Sequence, residues 1–270
     1  MSSSILTFWN LHRVSILILL LSALFYYAFG YDLQRSDTLK LLTLYGALFF
    51  LCFKLIQFEK WNLKFIVVSG VLLRLVFLFA IPNLSQDFYR FIWDGSLILE
   101  GLNPYLLTPD DWMSQGGPPI HEATALHEGM GALSSRNFSN YPPVNQYFFA
   151  AATYLGGKTL MGSIIAIRGM IILADLGMLY FGRRILKRIN RAPNMKFWYY
   201  LNPLVIIELT GNLHFEGVML FFIVLAMYLI LTGKWLLAAL PYAFSIGVKL
   251  IPLLFLPFPS VETPKMPIDS

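Results

Sequence analysis

Seven apolar stretches set the terms on which this chain can fold. They cover residues 14–30, 41–56, 65–81, 144–181, 197–209, 218–231 and 235–258. A helix needs about 20 predominantly apolar residues to cross the hydrocarbon of a bilayer. The chain as a whole is 57% hydrophobic and only 13% charged. Soluble domains carry roughly 25% charged residues, so this chain cannot cover itself with a polar surface. The reading is an all-α polytopic membrane bundle, with room for about seven or eight transmembrane helices and their loops. Residues 1–258 form one integral membrane domain, and 259–270 form a polar tail.

Basic residues collect at the ends of the apolar runs. Lys54, Lys60 and Lys64 lie between the second and third, with Glu59 the only acid there. Arg183, Arg184, Lys187, Arg188 and Arg191 follow the fourth. This is the positive-inside pattern, so the net charge of +5 speaks for a membrane and against nucleic acid. It puts the N-terminus and the loop around Lys60 in the cytoplasm and residues 83–141 outside. The outer interval holds Asp87, Asp94, Glu100, Asp110, Asp111, Glu122 and Glu128, against Arg90 and Arg136.

Residues 144–181 are long enough for two spans, broken near 156–158, but two spans would export the basic run. Parity and charge are reconciled if 144–155 lies in the interface or re-enters. Two full spans with an exported basic run is the alternative. The run from Val14 has no small-residue cleavage site after it and reads as a retained first span. The single cysteine, Cys52, rules out an intrachain disulfide.

Chemistry concentrates at the start of the outer loop, residues 83–143. Over 86–100 a helical period puts Phe88, Ile92, Gly95 and Leu99 on one face and Asp87, Arg90 and Asp94 on another. Such an amphipathic helix suits the membrane surface, with its charged stripe toward a cavity or water. Two carboxylates flanking an arginine suit acid–base work. The same spacing suits a salt-bridged interfacial face, and the spacing does not choose. Gly101, Asn103 and Pro104 end the helix. Tyr141-Pro142-Pro143 marks a rigid return to lipid. In the loop 211–217, His214 and Glu216 are able to handle protons or a metal, though zinc or manganese would need further ligands from elsewhere, and a solvated loop accounts for them equally well. Arg74, Arg168, Asp175 and Lys249 sit inside apolar runs, where charge is costly and usually functional. Arg168 and Asp175 are seven apart, on one helix face, and are expected to neutralise each other directly or through neighbours. Lys249 has Glu208 as a potential partner.

The ordered set Gln86-Asp87-Phe88-Tyr89-Arg90, Trp93-Asp94-Gly95, Gly101-x-Asn103-Pro104-Tyr105, Tyr141-Pro142-Pro143, Asn202-Pro203-Leu204, Glu208, Gly211-Asn212-x-His214-x-Glu216 and Val248-Lys249-Leu250-x-Pro252 resembles the bacterial mannosyltransferase-like branch of the GT-C glycosyltransferases. The likeness runs from about residue 85 to 257. It implies a multi-pass inner-membrane enzyme with its active site on the periplasmic side. A polyprenyl-phosphate-linked hexose, mannose by this likeness, would be the donor. A glycan, lipid or protein hydroxyl would be the acceptor.

An aspartate of the first large outer loop is the catalytic base in such enzymes. The matching position is Asp87, with Asp94 as alternative or helper. Arg90 and Lys249 would steady the leaving phosphate, and His214 and Glu216 would shape the donor or acceptor site. Asn103, Tyr105 and Tyr141 would shape the loop. No cofactor is implied with certainty, and a divalent metal is left open. Relatives usually continue for several more spans beyond the Lys249-x-x-Pro252 element, so a truncated or split form is expected. Relatives also often carry an aspartate in the loop written His214-Phe215-Glu216. Two other functions compete: a transporter whose path is lined by Arg74, Arg168, Asp175 and Lys249, and a non-catalytic membrane partner. No internal repeat supports the transporter.

Overall fold

The computed structural model describes residues 2–256, with side chains from residue 9 onward. The polar tail 259–270 lies outside the described residues. All regular structure among the described residues is helical. The first three helices are α1 (Ser2–Tyr31), α2 (Thr38–Glu59) and α3 (Leu63–Leu75). Asp37 and Asn62 start α2 and α3 by accepting the backbone N–H of Lys40 and Phe65. Next come α4 (Asp87–Leu99), α5 (Pro109–Ser114), α6 (Ala123–Ser135) and α7 (Pro143–Leu155). The long α8 (Leu160–Arg188) follows.

The segment 197–209, expected as a short span, is broken. A 3-10 turn (Pro193–Lys196) leads into α9 (Phe197–Tyr200) and α10 (Pro203–Val205), and a π-helical turn (Ile206–Gly211) ends it. Then come α11 (Glu216–Leu231), α12 (Trp235–Val248) and a 3-10 turn at Ile251–Phe255.

Among the described residues three helices are long and apolar enough to cross a membrane: Trp9–Tyr31, Thr38–Glu59 and Leu160–Arg188. The pair Pro203–Gly211 and Glu216–Leu231, bent by 114°, makes a fourth if it counts as one span. The chain is a membrane protein. At 1.5 Å per residue, the 13 residues of α7 reach only about 20 Å, short of the roughly 30 Å hydrocarbon core. This suits the reading that residues 144–155 do not cross.

The α7–α8 turn depends on glycine at the expected break. A Cβ on Gly156 would stand 2.3 Å from the Gly162 carbonyl carbon, and one on Gly162 would stand 2.0 Å from Gly156 O. Helix α4 ends as its residues predict. Gly101 takes φ 74°, and Leu102 N–H donates to Leu97 O, the bond that closes a Schellman turn.

The intramembrane charges hold broken helices together. Asp175 pairs with Arg74, not with Arg168: Arg74 Nε donates to Asp175 Oδ2 at 2.9 Å, and both side chains are sealed from solvent. The other two Arg74 nitrogens donate to Gly70 O and Tyr200 O. Arg168 instead donates to four carbonyls, those of Leu78, Ala80, Thr210 and Gly211. These carbonyls belong to the turn that follows α3 and to the end of the π turn. Unpaired carbonyls are expensive where water is absent, and a guanidinium with five N–H donors satisfies several at once. Arg74, Asp175 and Arg168 are thus spent on fixed structural partners.

Candidate active site

Helix α4 does not lie open on a surface. Phe88 and every residue from Arg90 to Leu97 are buried, between α6 and α7 and against the core formed with α8 and α11. It packs closely on α7, where a Cβ on Gly95 would stand 2.6 Å from Phe149 O. The two carboxylates of the charged stripe therefore have different environments. Asp87, in the first turn, is exposed, whereas Asp94, two turns on, is fully buried.

Asp94 is occupied on both oxygens. Oδ1 accepts from Arg90 Nε at 2.8 Å, and Oδ2 accepts from Ser139 Oγ at 2.5 Å and Gln146 Nε2 at 2.8 Å. Burial pushes its carboxyl up, while Arg90, Ser139 and Gln146 favour the charged form and act the other way. Arg90 Nη1 adds bonds to the carbonyls of Ser134 and Asn137, so the pair clamps the end of α6 and the following turn onto α4. Arg90 Nη2 is buried with no hydrogen-bond partner among the described residues.

Asp87 and Arg90 line a cavity of about 500 Å³, within the range of small-molecule sites. Tyr141 and His214 line it too, and Arg35, from the α1–α2 loop, joins them. Four of the residues singled out by sequence thus converge on one cavity: Asp87, Arg90, Tyr141 and His214. Tyr141 packs its ring on Phe91 and Phe149, and its carbonyl accepts Tyr105 Oη at 2.6 Å. Burial, and then the Asp87 and Asp94 carboxylates, raise its phenol well above the ordinary value. His214 Nδ1 lies 3.6 Å from Glu208 Oε2, which also accepts from Asn212. The buried Leu213 before it takes φ 62°, a left-handed conformation that costs a leucine energy and is commonest at functional turns.

The remaining site residues lie off the cavity wall. Lys249 pairs with Glu216, not Glu208, through a short salt bridge. Asn103 is exposed and closes its own turn by accepting the Tyr105 N–H at 2.9 Å. Among the described residues no three His, Cys, Asp or Glu side chains converge as a metal centre needs. Sequence reasoning missed Ser139, Gln146 and Arg35. Polar Ser and Gln beside Tyr141-Pro142-Pro143 were a faint signal for the first two. Nothing local marks Arg35.

Residues 38–263 match a family profile described as Alpha-(1->6)-mannopyranosyltransferase, N-terminal domain. The chain is 25% identical over 153 residues to Alpha-(1->6)-mannopyranosyltransferase B of Corynebacterium glutamicum, covering 56% of this chain and 24% of that protein. It is 23% identical over 185 residues to Alpha-(1->6)-mannopyranosyltransferase A of the same organism, covering 67% and 35%. It is 25% identical over 183 residues to Alpha-(1->6)-mannopyranosyltransferase A of Mycobacterium tuberculosis, covering 67% and 33%. The matched region thus spans between 24% and 35% of the length of these curated relatives. No solved structure matches.

Proposed function

The chain belongs to the alpha-(1->6)-mannopyranosyltransferase family, and on that premise we propose that it is a membrane mannosyltransferase with Asp87 as general base. The donor is a polyprenyl-phosphate-linked mannose, and the acceptor is a hydroxyl delivered to the α4 cavity on the periplasmic face. Asp87 takes the proton from the acceptor O–H as its oxygen attacks the anomeric carbon. The new C–O bond forms as the bond from that carbon to the phosphate oxygen breaks, with inversion. The polyprenyl phosphate leaves with the bonding electron pair.

One observation carries the assignment. Of the two carboxylates in the α4 stripe, only Asp87 is exposed and borders the cavity. Asp94 is saturated by Arg90, Ser139 and Gln146, and we assign it the positioning of Arg90. Arg90 and Arg35 both line the cavity and bring positive charge to it, where a leaving phosphate would develop its charge. His214 sits on the cavity lining, and Glu216 with Lys249 braces the loop that carries it.

The test is transfer of radiolabelled mannose from a polyprenyl-phosphate donor in membranes containing wild type or Asp87→Asn. Loss of a general base costs about 10²–10⁴-fold, so the variant should fall by that factor while keeping its thermal stability. Undiminished transfer in the variant refutes Asp87 as the base.

A further inference from the structure

The C-terminal end of α8 gathers positive charge that no salt bridge among the described residues neutralises. It carries Arg183, Arg184, Lys187, Arg188 and, just beyond, Arg191, and the 3-10 turn Pro193–Lys196 brings Lys196 back against it. Among the described residues none of these six makes a salt bridge. Lys196 is not splayed into water as a solvated surface lysine would be. Its ammonium donates to Pro193 O at 2.6 Å and stands 4.3 Å from the centre of the Phe197 ring. Burial, with Arg183 and Lys187 adding to it, holds its pKa down to about 8. Partly buried like charges repel, and an anion among them would reverse the sign of that interaction.

Lys196 stands at the end of a groove of about 350 Å³ between α8 and α11. The groove runs back along α8 from Leu186 to Met178, about 12 Å at the helical rise. Its walls are apolar, with Leu179, Leu186, Val224 and Met227 among them. Gly182 lies in its floor, and a Cβ there would meet nothing within 4 Å. On the neighbouring side of α8, Lys187 borders a second, smaller hollow with Arg184 and Arg188. A cationic mouth thus opens onto an apolar channel on a membrane-spanning helix. A free phosphate has no use for the channel, and an uncharged lipid has none for the cations. Basic pockets at the ends of membrane helices recognise anionic headgroups by this pairing of charge with an acyl slot.

We propose that this is a binding site for an anionic phospholipid, its headgroup phosphate among Arg183, Lys187 and Lys196 and one acyl chain in the groove over Gly182. The site is separate from the α4 cavity. The two share no lining residue.

The test titrates the full chain in detergent with phosphatidylglycerol, with phosphatidylcholine of the same acyl chains, and with inorganic phosphate. Bound adducts are counted by native mass spectrometry. Phosphatidylglycerol should bind at least tenfold more tightly than either of the others. Lys187→Gln and Lys196→Gln should each weaken it roughly fivefold. Gly182→Leu keeps every charge and puts an apolar side chain at a groove position where a Cβ is open, and it should weaken phosphatidylglycerol by a similar factor. Lys60→Gln, a basic residue elsewhere in the chain, should change nothing. Size-exclusion profiles confirm that each variant is folded. Equal binding of phosphatidylcholine, or phosphatidylglycerol binding untouched by Gly182→Leu in the folded variant, overturns the proposal. Inorganic phosphate binding as tightly as the lipid overturns it too, and would make the site one for free anions.

Discussion

Arg90 reaches one turn along α4 to Asp94 at 2.8 Å, and the pair is shut away from solvent while Asp87, on the same helical stripe, stays open. The helix thus divides its two carboxylates between structure and proposed chemistry by burial alone. That division predicts different failures. Asp94→Asn removes the charge that Arg90, Ser139 and Gln146 surround, and it leaves a buried guanidinium uncompensated. It should destabilise the protein by about 3–5 kcal/mol. The thermal unfolding midpoint in detergent should drop, in contrast to Asp87→Asn, which should leave it near wild type.

The Arg74–Asp175 pair predicts strong coupling. Removing either partner strands a charge in the bilayer interior, at about 3–5 kcal/mol. Arg74→Met and Asp175→Leu should therefore each unfold the protein at markedly lower temperature. The double variant should lose much less than the sum, because no charge remains unpaired. A double-mutant cycle on thermal midpoints measures this. Additive losses would mean that the two groups do not depend on each other.

The segment carrying α5 and α6 should loosen in acid. The Asp110 carboxyl is held below its ordinary 3.8, chiefly by its bond with His127, which joins α5 to α6. A carboxylate with a depressed folded pKa contributes stability that is present above the unfolded value and lost as pH falls through the folded one. The contribution is small, since the Asp110 carboxylate is partly open to solvent. Hydrogen exchange in α5 and α6 should quicken as pH drops below about 4, after correction for intrinsic rates. In Asp110→Asn that extra acid step should vanish.

Gly95 makes the most direct packing prediction. Its missing Cβ would stand 2.6 Å from Phe149 O and 2.7 Å from Thr153 Oγ1. Gly95→Ala should push α4 off α7 and cost about 1–3 kcal/mol despite the better helix propensity of alanine. Gly46→Ala, at an open position, should be neutral or slightly stabilising. Comparison of the two midpoints separates packing from propensity.

Much of this molecule was legible along the chain because the causes are local. The α4 boundaries followed from periodicity and from Gly101-x-Asn103-Pro104, and the α7–α8 break followed from Gly156, Gly157 and Lys158. The segment 197–209 was apolar enough to read as one span. It breaks into short pieces because Pro203 cannot donate in a helix and because Arg74 and Arg168 supply donors for the carbonyls left free.

By itself, the sequence determined that the chain is helical and membrane-embedded, because too few polar side chains are present to cover a water-facing surface. It also determined that Asp87, Arg90 and Asp94 share one side of one helix, since the helical repeat is a property of the backbone. Only the tertiary structure decided what each of them does. Ser139 and Gln146 lie 45 and 52 residues from Asp94, and Asp175 lies 101 from Arg74. Hydrogen bonds and burial act over a few ångströms of space, whatever the separation along the chain. Partners that far apart leave no period or spacing to read until the helices have packed.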